Sequence, residues 1–302
     1  MNNTKKTLVS ICVITYNHEK FLARALDSIL SQEMDFPYEI IIGEDCSQDA
    51  TRAICEQYKQ NYSDVIQLIL HEKNVGLIRN YVSIMTAAQG KYIAICSGDD
   101  YWCDSMKLKK QVAFLEQNID YSMCFTNAYE ESNFSWEGYK KKQFSNVEDR
   151  EYKGDQIILD WIIPASSVMI RNGLLDFSFL LKRTFYAEDL VQYLKLNEYG
   201  KLRGMSDITA VYTRHENAIT GNVNTSRENT FNRYVTNLLS VDEELNQKYH
   251  KIISQDLSIA YYKEAKYLFK HNERYKSIKL LIKSFYYSPQ NMLSMLINSI
   301  LH

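Results

Sequence analysis

Residues 92–100 read Tyr-Ile-Ala-Ile-Cys-Ser-Gly-Asp-Asp, so that a compact apolar run leads directly into an acidic turn. A short apolar run without alternation is typical of a strand buried on both faces of a sheet. Similar runs occupy residues 8–14, 38–43 and 65–70, and apolar residues at helical spacing separate them. Alternating strands and helices with short links predict an α/β fold, with a Rossmann-like, mainly parallel mixed sheet flanked by helices.

Polar side chains collect where three of these predicted strands end. They form the clusters Thr15-Tyr16-Asn17, Glu44-Asp45 and Asp99-Asp100. The carboxyl ends of parallel strands meet at one edge of a sheet, so we expect the three clusters to converge on one ligand crevice. Adjacent carboxylates are hard oxygen ligands that suit Mg²⁺ or Mn²⁺. A helix cap or a solvated turn is the alternative for an isolated acid pair, but the buried strand before this pair and the facing acids favour a metal site.

Composition narrows the classes of function. The 302 residues carry a net charge of −2, with 45% apolar and 24% charged residues, which is ordinary for a globular protein. The absence of a basic excess argues against nucleic acid as a partner. The six cysteines are scattered without a CxxC pair, which fits a reducing, cytoplasmic compartment. No Gly-rich phosphate loop of the common types is present, which counts against a dehydrogenase or a P-loop NTPase.

The remaining motifs carry a resemblance to a known family. The motifs lie, in order, at residues 10–17, 39–49, 74–77, 90–94 and 98–102. Together they resemble family 2 glycosyltransferases of the GT-A fold, over residues 8–220. This resemblance implies a metal-dependent inverting transfer of a sugar from a nucleotide-sugar donor, commonly a UDP-sugar. The acceptor would be a hydroxyl of a glycan or a lipid-linked molecule, in the synthesis of a surface polysaccharide.

The resemblance also implies roles for donor-side residues. Asp45 would hydrogen-bond the base of the donor, and Tyr16, with Thr15, would line the base pocket. Asp99 and Asp100 occupy the metal and ribose positions of the DxD motif, although the sequence does not say which of them binds the metal. Ser97 stands where many members place the first acid of that motif. The metal therefore needs a further ligand from elsewhere in the chain.

Two downstream segments resemble the rest of a family 2 site. Glu188 and Asp189 resemble the family's ED motif, in which Asp189 would be the general base for the acceptor hydroxyl. Their alternative role is to complement the dipole at the start of a helix. His215 resembles a histidine that serves some members as a metal ligand, and Arg214 is a weaker candidate for the diphosphate.

Two further residues are candidates for substrate binding. Arg79 follows the 74–77 motif and can reach the nucleotide or simply begin a helix. Trp102 can stack on a sugar or pack under the acidic turn.

The chain becomes wholly helical after about residue 225. We predict a catalytic domain at 1–222 and a helical extension at 223–302 that contains one hairpin of the tetratricopeptide kind. The segment from Leu245 to His302 has nine basic and three acidic residues and an amphipathic end. It could contact an anionic membrane surface or a partner, or simply pack as a helix hairpin with a solvated basic face. We therefore expect a cytoplasmic protein that can rest on the inner face of the cell membrane, and predict no oligomeric state.

Two other classes share some of these features. A nucleotidyltransferase also has acids at strand ends, but normally adds a Gly-rich basic loop near its N-terminus, which this sequence lacks. A non-catalytic nucleotide-sugar-binding protein would keep the fold and lose the base and metal acids, whereas this sequence keeps both.

Overall fold

The computed structural model describes residues 6–132, 140–160, 162–186, 188–215 and 226–301. The chain divides into two compact units. The first unit contains residues 1–153, 162–182 and 192–222, and the second contains residues 154–161, 183–191 and 223–302.

The first unit is built on one mixed sheet. Its strands are β1 (Val9–Thr15), β2 (Tyr38–Glu44), β3 (Ile66–Leu70), β4 (Tyr92–Ser97), β5 (Tyr101–Trp102), β6 (Tyr121–Ser132), β7 (Lys140–Gln143), β8 (Glu151–Tyr152), β9 (Met169–Arg171) and β10 (Lys201–Arg214). The main strand order is β3-β2-β1-β4-β9-β6-β10-β5, with β7 beside β6 and β8 beside β10.

Strand direction changes at the middle of the sheet. Strands β3, β2, β1 and β4 are parallel, as are β6 and β10. Strand β9 lies between β4 and β6 and is antiparallel to both. The prediction of an α/β fold with a mainly parallel mixed sheet is therefore confirmed.

Helices of the first unit bury apolar faces against this sheet. They are α1 (Leu22–Leu30), α2 (Thr51–Asn61), α3 (Leu77–Ala87) and α4 (Lys107–Gln117). The core includes Leu22, Leu26 and Ile29 of α1 and the inward side chains of β1 and β2, all fully buried. Burial of apolar area of this extent is the main stabilising contribution to the unit.

The register of the parallel strands determines where the polar ends meet. Thr15 at the end of β1 lies opposite Glu44 at the end of β2, and Ile14 lies opposite Ser97 at the end of β4. The three strands therefore end at the same edge of the sheet, and the loops that follow them are neighbours. This is the edge at which the polar clusters were expected to converge.

One predicted strand has a different form. The sequence predicts a strand near residues 166–170, but Ala165–Ser167 form a short 3-10 helix, and β9 begins only at Met169. The backbone N–H and the hydroxyl of Ser167 both donate to the carbonyl of Pro164. These local bonds compete with a strand ladder and account for the late start of β9.

The second unit is helical. It contains α5 (Gly154–Asp160), the first turn of α6 (Glu188–Tyr199), α7 (Arg227–Glu244), α8 (His250–Lys270), α9 (Arg274–Tyr287) and α10 (Pro289–Leu301). Helices α8 and α9 form a close hairpin, because Ser258 donates to the carbonyl of Ser284 and Ser277 donates to that of Ala265. No helix among the described residues is long and apolar enough to cross a membrane.

The domain boundary expected at 222/223 falls within residues 216–225, which lie outside the described residues. Two earlier segments, 154–161 and 183–191, group with the helical unit rather than with the sheet. Since their grouping depends on contacts far along the chain, local sequence patterns do not reveal it. The division at 222/223 stays a prediction.

We expect Gly90→Ala to destabilise the first unit. A Cβ at Gly90 would lie 2.5 Å from the backbone nitrogen of Ser10, so β1 and β4 would have to separate locally. Overpacking of this kind costs about 1–3 kcal/mol in the free energy of unfolding, which urea denaturation measures. The control is Gln89→Ala, which changes an exposed side chain one residue earlier. Equal urea midpoints of unfolding for the two variants would contradict the close approach of Gly90 to the backbone of Ser10.

Candidate active site

The loops that follow β1 and β2 are tied together by hydrogen bonds. The backbone N–H of Asn17 donates to the hydroxyl of Ser47 over 2.9 Å, and the amide oxygen of Asn17 accepts from the N–H of Gln48 over 2.9 Å. Asn17 and Cys46 both adopt positive φ values, which asparagine tolerates better than most residues. The two loops therefore lie side by side at the carboxyl edge of the sheet.

Asp45 organises the next loop. One of its carboxylate oxygens accepts from the N–H of Val75 over 2.7 Å, and the other accepts from the N–H of Gly76 over 2.9 Å. Its own N–H donates to the carbonyl of Thr15 over 3.2 Å. Asp45 is buried and so joins the ends of β1 and β2 to the turn that begins α3.

Asp99 lies between two imidazole rings. Its Oδ2 is 3.1 Å from Nε2 of His215 and 3.7 Å from Nε2 of His18. Ligand atoms of these three residues lie within 4.8 Å of one another, so that the three could hold one metal ion together. Asp99 follows β4, His215 follows β10 and His18 follows β1, so the three come together through the sheet.

The charge states in this cluster suit metal binding. Burial alone would raise the pKa of Asp99, but the hydrogen bond with His215 and the charges of both histidines outweigh burial and lower it. Burial lowers the pKa of His18, and the negative charge of Asp99 opposes that shift only in part. An ionised carboxylate is the form that binds a metal ion, and metal binding releases the proton of a histidine that carries one.

Asp100 has a different environment from its neighbour. One oxygen accepts from the hydroxyl of Ser166 over 2.5 Å, and the other accepts from the N–H of Thr213 over 2.9 Å. Burial, assisted by the charge of Asp99, raises the pKa of Asp100 to about 8. Asp100 therefore connects the acidic turn to the 3-10 helix and to β10, while Asp99 is the acid in the three-ligand cluster.

Other candidates on the donor side vary in exposure. Tyr16 is 38% exposed and Arg79 is exposed, so both side chains are accessible to a ligand. Trp102 is buried in the core, where its indole N–H donates to the carbonyl of Ser166 over 2.8 Å. Arg214 forms an ion pair with Glu130 at 3.1 Å. Of the two interpretations of Trp102, packing under the acidic turn fits its burial better.

Glu188 and Asp189 begin α6, in the second unit. One carboxylate oxygen of Asp189 accepts from the N–H of Leu190 over 2.8 Å. Burial raises the pKa of Asp189 to about 6, and burial together with the charge of Asp189 raises that of Glu188. A carboxylate with a raised pKa is a stronger base near neutral pH, which is the property a general base needs.

His18 is the residue that the sequence analysis did not identify. It directly follows the Tyr16-Asn17 cluster at a strand end, which is the signal that could have found it. Its Nδ1 lies 3.2 Å from the hydroxyl of Thr15, and its backbone N–H donates to the hydroxyl of Thr51 over 2.8 Å. Thr15 therefore orients the ring of His18.

We expect Asp100→Asn to change how stability depends on pH in the metal-free protein. The folded state holds a proton on Asp100 up to about pH 8, whereas the unfolded chain releases it near pH 4. The wild type therefore loses stability through this group as pH rises between those values. We therefore compare the free energy of unfolding of the variant with that of the wild type, by urea denaturation with a chelator. The variant's value minus the wild-type value should be larger at pH 8 than at pH 5.

Subtracting the wild-type free energy of unfolding from that of the variant cancels the contributions of the other titrating groups, provided that the substitution leaves these groups unchanged. Asp64→Asn, at an exposed site, is the matched control and should give a difference that does not vary with pH. A difference for Asp100→Asn that is equal at pH 5 and pH 8 would show that Asp100 is ionised in the folded protein.

Comparisons with known proteins place this arrangement in a family. The model for glycosyl transferase family 2 matches residues 10–176, more than half of the chain. TuaG of Bacillus subtilis, whose provisional name is teichuronic acid biosynthesis glycosyltransferase, is 30% identical over 223 residues. That match covers 72% of this chain and 83% of TuaG.

The first curated relatives are uncharacterised proteins of Mycobacterium bovis and Mycobacterium tuberculosis. They are 30% identical over 231 residues, and the match covers 72% of this chain. The matched region spans 62% of their length.

Two solved structures share the fold. S. aureus TarS 1–349 in complex with UDP-GlcNAc has a TM-score of 0.65 at 20% identity, covering 95% of this chain and 83% of that chain. The mannosyltransferase PcManGT of Pyrobaculum calidifontis, in complex with GDP-Man and Mn²⁺, has a TM-score of 0.58 at 12% identity, covering 99% and 81%. These likenesses show the GT-A fold that the sequence predicted. With the family model matched over most of the sheet and TuaG matched over most of its length, the chain belongs to glycosyl transferase family 2.

Proposed function

We propose that the chain is an inverting glycosyltransferase that moves a sugar from a nucleotide-sugar, with UDP as the carrier, to a hydroxyl of a glycan or lipid-linked acceptor. The observation that carries the proposal is the cluster of Asp99, His18 and His215 at the carboxyl edge of a family 2 sheet. The name of TuaG supports a role in surface polysaccharide synthesis, and the UDP-GlcNAc in the TarS complex supports the choice of UDP.

The donor's nucleotide would lie against the joined loops after β1 and β2. Tyr16, which is partly exposed beside Thr15, would pack against the base. Asp45 would hydrogen-bond the base, because each of its oxygens has a second lone pair besides the one used by Val75 or Gly76. Arg79 is exposed and follows that turn, where its guanidinium group would bind the phosphates of the donor.

The diphosphate would lie at Asp99. A divalent cation, Mn²⁺ or Mg²⁺, would supply Lewis-acid assistance to the leaving diphosphate when bound there. Asp99, His215 and His18 fit such an ion because their ligand atoms converge and Asp99 is ionised. The geometry favours Asp99 over Asp100 as the ligand, since Asp99 is the acid in the three-ligand cluster, whereas Asp100 is buried between Ser166 and Thr213. Arg214 could reach the diphosphate by leaving its ion pair with Glu130.

Asp189 would act on the acceptor side. The acceptor oxygen forms a bond to the anomeric carbon as the bond from that carbon to the diphosphate oxygen breaks. The carboxylate of Asp189 takes the hydroxyl proton, and the nucleoside diphosphate leaves with the electron pair. The single displacement inverts the anomeric centre and needs no covalent nucleophile. Glu188, beside the base, would contact the substrate.

The test of this function begins with a donor panel. UDP-, GDP- and dTDP-sugars are incubated with the protein and Mn²⁺, and slow hydrolysis or transfer is followed as release of the nucleoside diphosphate. The proposal predicts release from a UDP-sugar. A nucleotidyltransferase would instead form or release pyrophosphate, and a binding protein would retain the donor intact, so either result contradicts the proposal.

We expect Asp189→Asn to lower the rate of sugar transfer by about 10²–10⁴-fold, because the acceptor proton then lacks a base. The affinity for UDP should remain that of the wild type, since the change does not touch the donor loops. Steady-state kinetics and calorimetric titration with UDP measure the two quantities. The exposed Asp64→Asn variant is the matched control and should keep both.

The pH dependence gives a second measurement on the same residue. Asp189 must be ionised to act, and burial raises its pKa to about 6. The transfer rate should therefore fall tenfold for each pH unit below about 6 and level off above it. Unchanged turnover in Asp189→Asn, or a rate that stays level down to pH 4, would remove Asp189 from the mechanism.

The second unit presents a surface that suits a lipid-linked acceptor. Exposed apolar side chains recur at helical spacing along α9, and two more lie on α10; we name these residues together the α9 face. Its residues are Tyr275, Ile278, Ile282, Phe285, Tyr286, Leu293 and Ile297. Residues 274–301 include one arginine and three lysines but no acidic residue. Apolar and cationic side chains together favour the surface of an anionic bilayer, so we propose peripheral membrane association at the inner face of the cell membrane.

We expect the full chain to sediment with vesicles that contain phosphatidylglycerol and much less with pure phosphatidylcholine. Ile282→Ser with Phe285→Ser should weaken this binding at least about fivefold, because two apolar side chains no longer enter the interface. Raising the salt from 0.15 to 0.5 M should weaken it as well. Ile119→Ser, which changes an exposed isoleucine of the first unit, is the matched control. Sedimentation with neither vesicle type would favour a solvated hairpin instead.

A further inference from the structure

A buried hydrogen bond connects α3 to α6. The hydroxyl of Tyr81 on α3 donates to Oε1 of Gln192 on α6 over 2.6 Å. Tyr81 is 5% exposed and Gln192 is fully buried, and both residues belong to the first unit. A neutral polar pair contributes little net stability in such a place, because two apolar side chains of similar shape would pack there without losing hydrogen bonds to water. Stability alone therefore does not account for the pair.

The amide nitrogen of Gln192 points to the same conclusion. This nitrogen is buried and has no hydrogen-bond partner among the described residues. A buried N–H group that loses water and gains no partner is unfavourable, and a leucine at this position would avoid that cost. A glutamine here is therefore suited to directing the Tyr81 hydroxyl rather than to filling space.

Apolar packing alone leaves the rotation of α6 about its axis poorly defined. Residues 190–194 are all buried, so this part of the helix is surrounded by protein on every side, and the four residues other than Gln192 are Leu190, Val191, Tyr193 and Leu194. Contacts between apolar surfaces have no preferred direction, whereas a hydrogen bond needs its donor and acceptor aligned. The bond from Tyr81 therefore selects one rotation of the helix.

Tyr81 is itself held in place. Its ring meets the ring of Phe177 edge to face, with the centroids 6.4 Å apart. The neighbouring Asn80 donates its side-chain N–H to the carbonyl of Gly43, near the end of β2, over 2.8 Å. The turn that begins α3 is bound by Asp45. The hydroxyl of Tyr81 therefore has a position fixed by the same loops that we propose for the donor.

Asp189 lies one turn before Gln192 in α6. The two residues are three positions apart, and 3.6 residues make one turn, so their side chains lie on one side of the helix. A carboxylate about 5–6 Å from a helix axis moves about 1 Å when the helix rotates by about 10°. A displacement of about 1 Å can lower the rate of a reaction about 10²-fold. The rotation of α6 is therefore critical for a base on its first turn.

We propose that Tyr81 and Gln192 are positioning residues, which set the rotation of α6 and thereby the direction of the Asp189 carboxylate. Neither residue touches the substrate in this proposal. The inference rests on the proposed function, in which Asp189 takes the acceptor proton, and adds the residues that orient this base. Both members are needed, since the hydroxyl is the donor of the bond and the amide oxygen is its acceptor.

The experiment replaces both members of the pair, in the double variant Tyr81→Phe with Gln192→Leu. Because the two polar groups are removed together, the urea midpoint of unfolding should stay close to that of the wild type. The kcat for hydrolysis of the UDP-sugar that the donor panel identifies, with water as the acceptor, should fall at least about tenfold. The KM for that donor, and the calorimetric affinity for UDP with Mn²⁺, should not change. Gln60→Leu with Tyr62→Phe, at two exposed sites, is the matched control and should equal the wild type in each quantity.

The single variant Tyr81→Phe tests the same bond should the double variant not fold. It removes one oxygen atom and keeps the ring. Its kcat should also fall, with an unchanged KM. A bond that only stabilises the core would lower the urea midpoint and leave the kcat of the folded protein at the wild-type value. A wild-type kcat in either folded variant would therefore overturn the inference.

Nuclear magnetic resonance gives a measurement that does not depend on turnover. The ¹³C signal of the Asp189 carboxyl, in protein labelled at aspartate and assigned with Asp189→Asn, reports the protonation of this group as pH changes. Burial raises the pKa of Asp189 to about 6 in the wild type. When α6 turns, the carboxyl leaves its buried position, so its pKa should fall by at least about 0.5 in the double variant. An unchanged titration would overturn the inference.

The outcomes separate this inference from the proposed function. A wild type that releases UDP from no donor would refute the function, and the titration of Asp189 would still decide whether the pair sets the surroundings of this carboxyl. A wild type that turns over a donor, with a double variant equal to it in kcat and in the titration of Asp189, would leave the function standing and refute the inference.

Discussion

The acidic turn depends on one interaction, the anchoring of the buried Asp100 carboxyl by the Ser166 hydroxyl and the Thr213 N–H. These two bonds connect the end of β4 to the 3-10 helix and to the end of β10. His215 follows β10 by one residue, so the same anchoring brings its ring to Asp99. Adjacent carboxylates thereby acquire opposite properties: burial keeps a proton on Asp100, and the two histidines keep Asp99 ionised.

This division follows from electrostatics. Two neighbouring carboxylates in a buried turn would repel each other if both were ionised, and each would lose its hydration. Protonation of one relieves the repulsion and leaves the full negative charge on the other. The acid that keeps its charge lies beside His18 and His215, where a cation is most favourable. A structural acid and a ligand acid therefore serve one site from consecutive positions in the chain.

Much of the fold could be predicted from the sequence, because unbroken apolar runs specify the parallel strands β1 to β4 and their polar ends specify one edge of the sheet. The different environments of the Asp99 and Asp100 carboxyl groups could not be predicted, since they depend on Ser166 and Thr213, which lie far along the chain. His18 was missed although it follows the strand-end cluster Thr15-Tyr16-Asn17, because its role depends on Asp99 and His215, which lie far along the chain. The grouping of residues 183–191 with the helical unit likewise depends on distant contacts.

In the mechanism that we propose, Asp99, and not Asp100, carries the metal-dependent binding of the nucleotide. Calorimetric titration with UDP, in Mn²⁺ and again in chelator, tests it directly on the wild type, Asp99→Asn and Asp100→Asn. We expect binding of UDP to depend on Mn²⁺ in the wild type and in Asp100→Asn, and this dependence to disappear in Asp99→Asn. Mn²⁺-dependent UDP binding that persists in Asp99→Asn, or that is lost in a folded Asp100→Asn, would contradict it.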